Sequence, residues 1–132
     1  MKLENSLELG AWNLELGRVK PVVLVTGASQ GIGAAIAKTF AREIRGVRLV
    51  LVARNERNLA AVARACAKPG PSTRLRAGVT AEIFPCAVTD EASVAAMAAA
   101  VTKRFGSVDV LINNAGAFAM APFAETKVAD YD

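Results

Sequence analysis

The chain has 132 residues, 53% of them apolar and 21% charged, which is typical of one compact globular domain and excludes a disordered chain. No apolar run approaches the roughly 18 residues of a membrane span, and glutamates interrupt residues 1–20 where a signal peptide would be apolar, so we expect a cytoplasmic protein without a membrane partner. The net charge of +4 is the sum of +8 over residues 38–76 and −4 elsewhere. Bases of single-stranded nucleic acids stack on aromatic side chains, and this basic segment has none after Phe40, which argues against nucleic-acid binding.

Residues 1–20 precede the regular pattern, and we interpret them as an N-terminal extension. The tetrapeptide LELG occurs twice there, at Leu7–Gly10 and Leu14–Gly17, but two copies are too few for a repeat fold. From Pro21 onward the pattern is regular, so residues 21–132 are expected to form one domain, and only part of it.

The first strand runs into a glycine-rich turn. VVLV at Val22–Val25 is apolar on both faces, as in a strand buried inside a parallel sheet. Gly27, Gly31 and Gly33 follow at a spacing that permits a tight turn, close approach of a diphosphate to the backbone, and a helix N-terminus behind it. The Walker motif is excluded, because it requires Gly-Lys where the chain has Ile-Gly at positions 32 and 33. The turn therefore predicts a phosphate-containing ligand held without that motif.

The helix after this turn and the next two elements follow from apolar spacing. Ile32, Ile36, Phe40 and Ile44 recur every four residues and predict the buried face of the first helix. VRLVLVA at Val47–Ala53 predicts the second strand. Asn55 is a candidate N-cap for the second helix, whose expected inward residues are Leu59, Val62, Ala63 and Cys66.

Prolines, glycines and polar residues predict a long surface loop over Lys68–Ala81, and EIFPCAV at Glu82–Val88 predicts the third strand. Cys66 and Cys86 are twenty residues apart without a metal-ligand spacing, so we expect two isolated, buried thiols and no metal site.

A third helix and a fourth strand complete the pattern. Thr89 or Asp90 is the expected N-cap, Gly106 the expected end of the helix, and Val108–Asn113 the fourth strand. A further helix is predicted to begin near Thr126. The inward residues expected for the third helix are Val94, Met97, Val101 and Phe105.

Strands that alternate with helices predict an α/β fold, a Rossmann-type doubly wound parallel sheet of about four strands in the order 3-2-1-4 with helices on both faces. In that order the first and fourth strands diverge at the switch point, where ligands bind at the carboxyl ends. Gly27–Gly33 and Asn113–Gly116 therefore meet at one crevice.

TGASQGIG at Thr26–Gly33 and NNAG at Asn113–Gly116, together with CAVTDEASV and APFAETKVADYD, resemble the short-chain dehydrogenase/reductase family from about Val22 to Asp132. The resemblance implies an NAD or NADP cofactor. It assigns one group of residues to the cofactor's phosphates and adenine ribose, namely Gly27, Ser29, Gln30, Gly31, Ile32 and Gly33. It assigns Asn113, Ala115 and Gly116 to the ribose and nicotinamide side, with Asn113 also expected as a buried amide that ties neighbouring strands together.

The residue after the second strand favours NADP over NAD. NAD-preferring sites place a carboxylate there for the ribose hydroxyls, whereas this chain has Ala53 followed by Arg54, whose guanidinium suits a 2′-phosphate. One departure concerns Ala87, because family members usually have an aspartate there that meets the adenine. The loss of one partly exposed hydrogen bond weakens binding by about 0.5–1.5 kcal/mol.

The catalytic groups of the family are not found. Its Ser–Tyr–Lys group places Tyr and Lys four residues apart, but the single tyrosine, Tyr131, is followed only by Asp132, and the chain has no histidine for other base chemistry. We therefore assign no catalytic residue, and we expect an inactive cofactor-binding fragment of an oxidoreductase that acts on a carbonyl or alcohol and is a homo-oligomer when complete. The alternatives are a non-catalytic dinucleotide-binding module that works with a partner chain and, least favoured, a nucleic-acid binder through residues 38–76.

Overall fold

The computed structural model describes residues 20–68, 78–117, 123–125 and 127. Its centre is a parallel sheet in the order β3-β2-β1-β4, which confirms the expected fold class and strand order. The strands are β1 (Val22–Thr26), β2 (Arg48–Ala53), β3 (Thr80–Pro85) and β4 (Val110–Ile112).

Within the described ranges, three helices cover the sheet: α1 (Gly31–Glu43), α2 (Glu56–Ala67) and α3 (Glu91–Phe105). The Asn55 side chain accepts a hydrogen bond from the Asn58 N–H at 2.9 Å and so caps α2 as expected. Of the two candidate caps for α3 the structure selects Asp90, whose carboxylate accepts from the Ser93 N–H at 3.1 Å. Gly106, at φ +83°, ends α3.

Apolar side chains of the sheet alternate between two cores. Val23 and Val25 point into the layer that contains α1 and α2, whereas Val22 and Leu24 point into the layer that contains α3. Strands buried on both faces need the continuous apolar run that β1 and β2 have. Cys66 and Cys86 lie in opposite layers and form no disulfide, and both are buried, which confirms the prediction that they are buried thiols.

The prediction for the buried face of α1 is wrong at its first residue, Ile32. Ile32 is 74% exposed, whereas the buried residues of this helix are all small, namely Gly33, Ala34, Ala37 and Ala41. An α-helix turns about 100° per residue, so a spacing of four drifts by about 40° at each step and carries Ile32 away from the sheet. Ile36, Phe40 and Ile44 pack only at the margin of the core.

The third and fourth strands differ from their predicted bounds. β3 begins two residues early, because the Thr80 N–H already donates to the Val47 carbonyl at 3.1 Å. It ends at Pro85 because its partner β2 ends opposite, at Ala53. β4 is shorter than Val108–Asn113, since its pairing with β1 covers three residues.

Some predictions fall on residues outside the described part of the chain. These are the N-terminal extension except for Lys20, most of the loop over Lys68–Ala81, and the helix start near Thr126; a short 3₁₀ helix lies at Phe123–Glu125. Within the described ranges, no helix combines the length and the apolar composition that crossing a bilayer would require.

Candidate functional site

The turn after β1 contains three glycines that have different structural roles. Gly27 and Gly31 have φ of +65° and +54°, in the left-handed region that disfavours side chains. A Cβ on Gly33 would collide with the Gly27 carbonyl oxygen and lie 2.6 Å from the Asn114 amide nitrogen. A Cβ on Gly31 would meet no atom within 4 Å. Gly33 therefore lets α1 pack against the turn, whereas Gly31 leaves the backbone open on its outer side.

The N-terminus of α1 has no acidic side chain to neutralise it. Its N-cap residue, Gln30, makes no side-chain capping hydrogen bond, and the first turn contains no aspartate or glutamate. The amides of a first helical turn have no acceptor within the helix, and the helix dipole is positive at this end. The open backbone at Gly31 and these amides together form a site that suits an anionic oxygen.

The hydroxyl of Thr26 connects this turn to the loop after β4. It donates to the Ile112 carbonyl at 3.3 Å and accepts from the N–H groups of Asn114 and Ala115, both at 3.0 Å. Thr26 is the last residue of β1 and is only 8% exposed. Its hydrogen-bonding capacity is therefore used entirely to hold the two loops together at the switch point.

The amide that was expected at position 113 to tie neighbouring strands together lies instead at position 114, where it is half-buried. Asn113 is exposed, whereas the side-chain amide of Asn114 donates to the carbonyls of Thr26 at 3.1 Å and Gly27 at 3.4 Å. The signal that sequence reasoning missed is the period of two in β4. Val110 and Ile112 pack toward the α1 layer, and the next residue in phase with them is Asn114.

The structure places most of the predicted cofactor residues around this junction. A Cβ on Gly27 would lie 2.9 Å from the Cα of Ala115, so the two loops are in close contact. The remaining residues lie on the outer side of the same region: Ser29 is half-buried, and Gln30, Ile32, Asn113 and Gly116 are exposed.

Arg54 follows β2 directly and is exposed at its carboxyl end. The Ala28 N–H donates to the Val52 carbonyl at 3.2 Å, which attaches the glycine turn to the end of β2 two residues before Arg54. Of the described carboxylates, none forms an ion pair with Arg54. The guanidinium is therefore available to a ligand that extends from the turn.

A hydrogen-bonded network that sequence reasoning did not find closes the carboxyl end of β3. The Ser93 hydroxyl accepts from the Ala87 N–H at 3.3 Å and donates to the Cys86 sulfur at 3.4 Å. The Asp90 N–H donates to the Ala87 carbonyl at 3.0 Å. Among the described residues, no three histidine, cysteine, aspartate or glutamate side chains are grouped to hold a metal ion.

Comparison with known proteins places this site in context. The family model for short chain dehydrogenases matches residues 21–132. D-threitol dehydrogenase of Mycolicibacterium smegmatis is 41% identical over 111 residues, which make up 84% of this chain and 39% of that protein.

Two solved structures show the same architecture. A metagenomic short-chain oxidoreductase in complex with NADP is 37% identical with a TM-score of 0.66, over 84% of this chain and 46% of that chain. L-sorbose reductase of Gluconobacter frateurii, complexed with NADPH and L-sorbose, is 32% identical with a TM-score of 0.67, over 85% of this chain and 39% of that chain. The chain thus spans less than half the length of these relatives.

Proposed function

The chain belongs to the short-chain dehydrogenase family, and from this premise we propose that it is the NADP(H)-binding part of an oxidoreductase acting on a carbonyl or alcohol substrate. The observation that carries the proposal is the open glycine turn, where Gly31 leaves its backbone uncovered beside the uncapped N-terminus of α1. When bound, the nicotinamide ring of the cofactor supplies or accepts a hydride. The solved relatives in complex with NADP and NADPH support this choice of cofactor.

The phosphates are proposed to lie against the turn. Gly31 carries no side chain on the open side, so an oxygen can approach its backbone closely, and the α1 amides supply donors without a competing acid. The proposed contacts to the phosphates and adenine ribose are Gly27, Ser29, Gln30, Gly31, Ile32 and Gly33.

The nicotinamide side is proposed to lie along the loop after β4. Asn114 and Ala115 are fixed to Thr26, which holds the backbone of the loop at the mouth of the crevice. Asn113, Ala115 and Gly116 are the proposed lining residues, and the exposure of Asn113 leaves its amide free to face the ligand.

Arg54 is proposed to bind the 2′-phosphate and thereby to favour NADP over NAD. A charge-assisted hydrogen bond contributes about 1.5–3 kcal/mol, or roughly 10- to 150-fold in affinity. Arg54→Asp should therefore weaken NADPH binding by at least tenfold while changing NADH binding much less, as measured by titration calorimetry. Arg64→Asp, an equal charge change at an exposed position of α2, is the matched control and should leave both affinities nearly unchanged.

Two results would contradict this assignment. Equal losses for NADPH and NADH in Arg54→Asp would remove Arg54 from the 2′-phosphate. Absence of saturable NADPH binding by the wild-type chain would overturn the proposed function itself.

We assign no catalytic residue, and we expect the chain to bind NADPH without turnover. A second candidate, a binding module that works with a partner chain, is favoured by the outer edge of β4. In the described sheet β4 is one of the two terminal strands, so a partner strand could pair with its outer backbone edge. Addition of a candidate partner should then produce a complex of defined size and NADPH-dependent turnover, and a complex without turnover would count against a catalytic partnership.

A further inference from the structure

The helix α1 buries its small side chains and leaves larger apolar ones toward solvent. Its buried residues are a glycine and three alanines, whereas Ile32 is 74% exposed and Ile36 and Phe40 are half-buried. Together with Ala35 and Thr39, these three residues line an open groove of about 360 Å³. Contiguous apolar surface of this kind marks a place where another segment or molecule binds.

The groove follows one side of α1 along most of the helix. Its lining residues are spaced three, one, three and one positions apart, so their side chains form one continuous stripe. Ile32 lies in the first turn of α1, and Phe40 lies about one turn before its end at Glu43. An apolar segment that starts near the end of α1 can therefore cover the stripe by running back toward Ile32.

We propose that residues 1–19, which lie outside the described part of the chain, bind in this groove. The segment contains five leucines and the single tryptophan of the chain, namely Leu3, Leu7, Leu9, Trp12, Leu14 and Leu16. Contact between these side chains and the groove removes apolar area of both from water. The occupant is thus the chain's own N-terminal extension, and this inference does not depend on the proposed function.

The extension enters the fold beside the end of α1. A Cβ on Gly46 would lie 3.5 Å from the Cγ of Lys20, the first described residue, and Gly46 is three positions after Glu43, where α1 ends. The helix is about 20 Å long, a distance that about six residues of extended chain span. Trp12 is eight positions before Lys20, so it can reach the groove and the residues before it can extend along the stripe.

The charges of the two parts are opposite in sign. Residues 31–46 have three basic side chains and one acidic side chain, a net charge of +2, whereas residues 1–19 have three glutamates and two basic side chains, a net charge of −1. Arg42 already pairs with Glu43 at 2.6 Å, which leaves Lys38 and Arg45 to attract the glutamates between the leucines. Exposed charges are screened by water and salt, so the apolar contact supplies the stability and the charges favour this acidic occupant over a basic one.

The fluorescence of Trp12 tests the contact directly, because no other tryptophan contributes to the signal. In the native wild-type chain its emission maximum should lie at a shorter wavelength than in the urea-unfolded chain, and acrylamide should quench it less, since the groove shields the indole from water. Ala35→Glu places a charged side chain at an exposed position of the groove and should return both signals to their values in the unfolded chain. Ala61→Glu, the same change at an exposed position of α2 outside the groove, is the matched control and should leave both signals at the wild-type values.

Circular dichroism identifies the variants that fold, and three results would overturn the inference. The first is a native wild-type Trp12 that is as exposed as in urea. The second is wild-type emission in folded Ala35→Glu, because the segment would then pack elsewhere. The third is a shift that appears only at concentrations where sedimentation shows dimers, because a second copy would then be the occupant. If Ala35→Glu fails to fold, Thr39→Glu at another exposed position of the groove replaces it.

Discussion

Replacement of Thr26 by valine tests whether the switch point is held by one hydroxyl. Valine has nearly the shape of threonine, so Thr26→Val removes the hydrogen-bonding group and leaves the volume unchanged. The variant loses the bond to the Ile112 carbonyl at 3.3 Å and the two bonds from the Asn114 and Ala115 N–H groups at 3.0 Å.

The expected loss of stability follows from these three bonds. A typical intramolecular hydrogen bond contributes about 1 kcal/mol net, and a buried group left without a partner costs more. Asn114 and Ala115 are half-buried, so water can partly replace the lost acceptor. We therefore expect Thr26→Val to lower the free energy of unfolding by about 3 kcal/mol. Thr26→Ser keeps the hydroxyl and loses one methyl group, which lowers it by about 1 kcal/mol.

Urea denaturation followed by circular dichroism measures both variants. With a slope of about 1–3 kcal/mol per molar urea, the midpoint for valine should lie at least about 0.7 M below that for serine. A valine variant as stable as the serine variant, or more stable, would show that the hydroxyl does not hold the two loops together.

Three further substitutions test the glycine turn and a helix cap. In Gly33→Ala the new Cβ meets the Gly27 carbonyl and the Asn114 side chain, so the backbone must shift, and we expect the free energy of unfolding to fall by more than about 3 kcal/mol. In Gly31→Ala the new Cβ meets open space, so the free energy of unfolding should fall by only the roughly 1–2 kcal/mol that a left-handed φ costs an alanine. A lower urea midpoint for Gly31→Ala than for Gly33→Ala would refute the inference that Gly33 is needed for packing and Gly31 for its left-handed φ. Asn55→Ala removes the acceptor of the Asn58 N–H and should destabilise the protein by about 1 kcal/mol; unchanged thermal unfolding would show that this cap contributes little.

Features set by a few neighbouring residues could be predicted from the sequence. The apolar runs of β1 and β2 required burial on both faces, and the alternation of strands with helices left few arrangements apart from order 3-2-1-4. Asn55 and Gly106 were predicted from the local preference of asparagine and glycine for helix ends, and they lie at the start of α2 and the end of α3. The position of the candidate site was predicted in the same way, because a glycine turn after the first strand of such a sheet must lie at its carboxyl edge.

The details that differed depend on partners distant in the chain. Which face of α1 is buried depends on its packing against the sheet, and the structure buries Gly33, Ala34, Ala37 and Ala41 and leaves Ile32 exposed. The limits of β3 were set by its pairing with β2. The composition of the loop before β3 contains no information on where that partner strand begins or ends. The choice of Asn114 over Asn113 depended on the phase of β4 against the glycine turn.

The sequence by itself determined the class of fold, the order of its strands and the edge at which a dinucleotide is proposed to bind, because periodicity and glycine spacing are properties of short segments. Only the tertiary structure decided which amide joins the two loops and that Ser93 closes the end of β3 over Ala87. Those contacts join residues from separate segments, and their geometry exists only after the strands have paired and the helices have packed on them.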